Sequence, residues 1–120
     1  MLQDNNAMNR QITVLLLAVS FLVGCANLEK TSYQVVGTTA ALVDGAMNGW
    51  GDWVRANKAT PQDEVVVKAA YIQYQQAMGM AKTAIFQYRL SGDKVSLEQT
   101  LDVLDVAKNK LVDLIITLRK

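Results

Sequence analysis

A chain of 120 residues is the size of one domain, and with 51% apolar and 19% charged residues it is too hydrophobic and too sparsely charged to be disordered. Twelve Lys+Arg against eleven Asp+Glu leave a net charge of +1 with no basic stripe along the chain, which excludes a nucleic-acid footprint. With no histidine and a single cysteine, Cys25, the chain lacks the commonest general base, the commonest metal ligand and any internal disulfide.

The first element is a leader. Met8-Asn9-Arg10-Gln11 is a short basic start, and an apolar run of 13 residues follows from Ile12 to Gly24. As a helix that run reaches roughly 20 Å, short of the ~30 Å hydrocarbon core, so a cleaved secretory signal is expected in place of a permanent span. Met1 to Ala7 contains Asp4 and no basic residue, which points to Met8 as an alternative start to Met1. The run ends in Leu22-Val23-Gly24-Cys25, which resembles the lipobox of bacterial lipoproteins at all four positions. The resemblance covers the leader alone, about the first fifth of the chain. It implies that residues 1–24 are a signal peptide and that the Cys25 sulfur carries a diacylglyceryl group. It also implies cleavage before Cys25 and acylation of the new amino group. Two or three acyl chains at ~0.8 kcal/mol per buried CH₂ make attachment durable, where one chain does not. Ala26 stands where an aspartate would resemble an inner-membrane retention signal, so the resemblance implies an outer-membrane lipoprotein facing the periplasm.

After the cysteine, residues 25–32 read as a lipidated tether and residues 33–120 as a helical domain. The first helix is expected over about 33–57. Val36, Ala40, Val43, Met47, Trp50 and Val54 recur at alternating spacings of four and three and form one apolar stripe. Gly37, Gly45, Gly49 and Gly51 weaken it at ~1 kcal/mol each, and Gly49-Trp50-Gly51-Asp52 is the expected break or kink. The second helix is expected over about 61–90. Thr60 is a good N-cap, Pro61 suits the first helical position, and Asp63 and Glu64 suit the positive end of the dipole. Val67, Ala70, Tyr74, Ala77, Ala81, Ala84 and Tyr88 keep a heptad pattern that argues for coiled-coil-like packing, and Gly92 reads as a left-handed cap. The third helix is expected over about 96–118, opened by a capping box at Ser96 with Gln99. Leu97, Leu101, Leu104, Leu111, Ile115 and Leu118 line one face; Val103, Val106, Val112 and Ile116 widen it, as contact with more than one neighbour would require.

Short connections favour antiparallel neighbours. The expected fold is all-α: an antiparallel three-helix bundle, or a helical hairpin with a looser first helix, after a cleaved signal peptide.

Four further features carry candidate chemistry. Gly37, Ala41, Gly45 and Gly49 recur every four residues, a spacing that lets helices approach closely; packing against the alanines of the second helix is the expected use. Trp50 and Trp53 either cap one end of the core or contact a partner or a membrane. Tyr71, Gln73, Tyr74, Gln75 and Gln76 read as a wet helix face. Glu98, Asp102 and Asp105 share a face, with Lys108 placed to pair with Asp105. No phosphate loop is present, and no Ser or Thr has a histidine partner. The expectation is a non-catalytic, membrane-anchored lipoprotein with a structural or protein-interaction role. It needs no cofactor, metal, nucleic acid or small-molecule substrate, and pairs with another helical protein or with itself. Two alternatives stand beside it: a phage or prophage lipoprotein acting in superinfection exclusion or lysis, and a membrane-active or pore-forming protein built on the stripe from Gly37 to Gly49.

Overall fold

The computed structural model describes the backbone of residues 2–120 and the side chains of residues 28–120. Three helices account for nearly all of it: α1 Leu2–Arg55, α2 Pro61–Ser91 and α3 Lys94–Leu118. The chain divides into two compact units, residues 1–31 and 32–120. The first is the N-terminal part of α1. The leader and Cys25 fall there, and the lipobox reading lies outside the residues whose side chains are described.

The second unit is an antiparallel three-helix bundle. Each turn has an identifiable local cause. At the end of α1, Asn57 takes up a left-handed conformation with φ 59°. The Asn57 N–H donates to the Val54 carbonyl at 2.9 Å and the Lys58 N–H to the Trp53 carbonyl at 3.2 Å, the paired bonds of a Schellman motif. Thr60 then caps α2, as its position predicts. Its Oγ1 accepts the Asp63 N–H at 3.1 Å, and the Asp63 carboxylate accepts the Thr60 N–H at 3.1 Å, so Asp63 completes a capping box. Gly92, with φ 73°, terminates α2 by donating its N–H to the Tyr88 carbonyl at 2.8 Å.

Four boundaries differ from the sequence reading. The backbone is helical through residues 26–32, where a tether was expected, and the helix predicted over 33–57 begins far upstream and stops at Arg55. No proline or glycine lies between Ala26 and Val36 to stop it. The helix also continues through Gly49-Trp50-Gly51-Asp52. Trp50 is only 5% exposed there, and burying its large ring offsets the weak helix propensity of two glycines. Finally, α3 starts at Lys94, capped by Asp93, whose carboxylate accepts the Ser96 N–H at 3.1 Å. Ser96 is therefore inside the first turn and is not the cap.

The core forms where the three predicted stripes meet. Val36, Val43 and Trp50 from α1 are buried with Val67, Ala70, Tyr74, Ala77, Ala81, Ala84 and Ile85 from α2 and Leu97, Leu104, Leu111 and Ile115 from α3. The alanines on α2 keep that helix close to its neighbours, while the bulk comes from the leucines of α3. Val43 is fully buried, so the α1 segment of this unit contributes side chains to the core.

Candidate functional site

The end of the bundle where α1 stops and α3 finishes carries the two tryptophans. One helical turn separates them on α1, so they lie on neighbouring faces. Trp50 faces inward and is core. Trp53 is half-buried at the rim. Lys58, placed by the Schellman turn, sets its ammonium 4.9 Å from the Trp53 ring centroid, and the Arg119 guanidinium lies 6.0 Å away. Cations over an indole are each worth ~0.5–1 kcal/mol at such partly wet sites. Arg119 crosses back over α1 so closely that a Cβ at Gly49 would run into its guanidinium. Glycine at 49 is thus the seat for this cation, and an Arg55–Asp52 ion pair flanks it. Trp53 Nε1 is buried without a hydrogen-bond partner among the described residues. Of the two tryptophans suggested for partner or membrane contact, Trp50 is enclosed in the core, and Trp53 is half-buried with Lys58 and Arg119 near its ring.

The small-residue stripe is placed differently from the expectation. Gly37, Ala41 and Gly45 are exposed, and a Cβ added at Gly37 or Gly45 would meet nothing within 4 Å. The stripe does not pack on the alanines of α2. The α1 face that is buried is the Val36-Val43-Trp50 face, since these larger side chains bury more apolar area.

The polar-aromatic segment on α2 divides between inside and outside. Tyr74 is buried, with its ring 6.0 Å from that of the half-buried Tyr71 at an interplanar angle of 27°. Burial, then the nearby Asp44 carboxylate and Tyr71, hold the Tyr74 phenol above its ordinary value. Gln73 accepts a hydrogen bond from Lys110 Nζ at 3.2 Å, linking α2 to α3, while Gln75 and Gln76 are exposed.

The three carboxylates on α3 do not converge. Glu98 pairs with Lys94 at 3.7 Å; Asp105 pairs with Lys108 at 2.8 Å, as the spacing predicts, and also accepts from Asn109 at 3.3 Å. Asp102 lines a shallow groove of about 490 Å³ between α2 and α3, with Met80, Val103, Val106 and Lys110. Among the described residues no group of three or more His, Cys, Asp or Glu could hold a metal ion, and no helix is long and apolar enough to cross a membrane.

Sequence reasoning missed the outward side of α2. Val65, Ile72, Met80, Phe86 and Leu90 are all exposed there. The signal was present as a second seven-residue spacing, Val65-Ile72-Gly79-Phe86, offset by two residues from the buried one.

No protein-family model matches the chain, and comparisons with curated proteins and with solved structures find no match.

Proposed function

We propose that this protein is a small bacterial lipoprotein, anchored in the outer membrane through Cys25, whose helical bundle serves as a non-catalytic interaction module in the periplasm. The observation that carries the reading is Leu22-Val23-Gly24-Cys25 at the end of a 13-residue apolar run, in a chain with no other cysteine. Acylation of the sulfur and the amino group together gives the two or three chains that durable attachment requires. The bundle beyond the anchor suits display better than chemistry. The groove between α2 and α3 is open and walled by Met80, Val103 and Val106, and its one carboxylate and one ammonium, Asp102 and Lys110, sit at its rim. A reaction centre needs converging polar groups, whereas large exposed apolar side chains on α2 and α3 suit contact with another surface.

The direct test is metabolic labelling of expressing cells with a fatty-acid analogue. The wild-type chain takes up label and fractionates with membranes, and the Cys25→Ser variant takes up none. Label retained by the variant overturns the reading.

A further inference from the structure

The α2–α3 turn carries an exposed apolar side chain on either side. Leu90, in the last turn of α2, is 75% exposed, more than any other large apolar side chain among the described residues. Val95, in the first turn of α3, is 64% exposed. Phe86 lies one helical turn behind Leu90 on the same face of α2 and is 59% exposed. The polar groups of the turn bond among themselves. The Gly92 N–H donates to the Tyr88 carbonyl at 2.8 Å and the Asp93 N–H to Ser91 Oγ at 3.3 Å. Ser91 donates its hydroxyl to the Gln87 carbonyl at 2.9 Å, and the Asp93 carboxylate accepts the Ser96 N–H at 3.1 Å. These donors need no water, which lowers the cost of bringing the turn into a lipid interface.

The turn is also at the end of the bundle where α1 enters. The Asp44 carboxylate of α1 lies near the Tyr74 phenol of α2. From that level Ser32 is twelve residues back along α1 and Phe86 twelve residues on along α2, about 18 Å of antiparallel helix in each case. The chain therefore enters the bundle at the level of Phe86, with Leu90 and Val95 beyond it. Gly49 and Trp53 lie beside Arg119 at the opposite end. Ser32 follows Cys25 by seven residues, which even fully extended span no more than about 25 Å. An anchor at Cys25 thus keeps the α2–α3 turn within reach of the lipid.

We infer that Leu90 and Val95, with Phe86 behind them, form a contact tip that enters the interfacial layer of the membrane in which Cys25 is anchored. The inference rests on the anchor proposed above and adds which part of the bundle meets the lipid. The tether decides the occupant, because the anchor fixes a lipid surface within reach of this end in every copy. Charge does not drive the contact: around the turn Arg89 and Lys94 are offset by Asp93 and Glu98, and Lys94 pairs with Glu98 at 3.7 Å. Two or three apolar side chains hold a free bundle only weakly, whereas the anchor makes the contact intramolecular and raises its occupancy.

Photocross-linking tests the contact position by position. The photoreactive residue benzoylphenylalanine is introduced singly in the full chain at Leu90, at Val95 and, as the control at the opposite end, at Lys120, all of them exposed. Each variant is reconstituted into phosphatidylcholine vesicles through its native lipid. Where Cys25 is recovered as a free thiol, the same chain is coupled through that thiol to a maleimide-bearing lipid, which supplies the same tether. Irradiation is followed by intact-mass analysis. The expected result is a phosphatidylcholine adduct from positions 90 and 95, several-fold above that from position 120. Equal yields at the three positions overturn the inference, as does the absence of adduct at 90 and 95 from chains that float with the vesicles. The same mass spectra show whether Cys25 arrived lipidated, so failure of the anchor and failure of the tip are read apart.

Discussion

At Gly92 and at Gly37 the same residue type does opposite things. Gly92 holds φ 73°, where a side chain strains the backbone even though a Cβ there would touch nothing. Gly92→Ala is expected to cost about 1–2 kcal/mol through the backbone alone. Gly37 and Gly45 sit within α1 with open space around them, so Gly37→Ala or Gly45→Ala is expected to stabilise the fold by about 0.5–1 kcal/mol. Urea unfolding of the three variants checks both signs at once. Residue-scale features were unevenly legible in the sequence. Thr60-Pro61 and Gly92 each have one structural reading, and each occupies the position it predicts. Ser96 had a competitor three residues earlier. Asp93 follows a left-handed glycine directly, and capping there adds three residues to α3 that capping at Ser96 would leave out. The motif at Ser96 and Gln99 could not register that competition.

On α3 the apolar positions divide into two classes that composition cannot separate. Leu104 is fully buried, while Val106, two residues on, is 67% exposed. Leu104→Ala is expected to destabilise by about 2–5 kcal/mol, through lost burial and the cavity left behind. Val106→Ala is expected to stay within about 0.5 kcal/mol. Thermal or urea denaturation of the pair checks the division. The buried stripes were legible because they repeat without interruption: the six predicted positions of α2 from Val67 to Ala84 are buried, while Met78 and Ile85 join them unpredicted and Tyr88 is only half-buried. The outward row Val65-Ile72-Gly79-Phe86 was not, because Gly79 interrupts its apolar character. Only the exposure of its large side chains in the folded chain separates it from the buried row. The same limit applies to the stripe from Gly37 to Gly45. Its spacing permits close helix contact, but the stripe is exposed and the larger side chains of the neighbouring face are the ones buried.

For the whole molecule, the proposed location and the architecture rest on different parts of the chain. The bundle follows from three apolar stripes joined by connections of only a few residues, and both features are written in residues 33–120. The proposed membrane address rests on four residues at the end of a short apolar run and owes nothing to the bundle. No histidine and no second cysteine compete with Cys25 for a chemical role, so the lipid bond proposed for it is the reaction on which the proposed function stands. Intact-mass analysis of the protein extracted from membranes tests this most directly. The expected species is a chain that begins at Cys25 and carries a diacylglyceryl group and an N-terminal acyl chain. A chain that retains residues 1–24, or one that begins elsewhere with an unmodified thiol at Cys25, would contradict it.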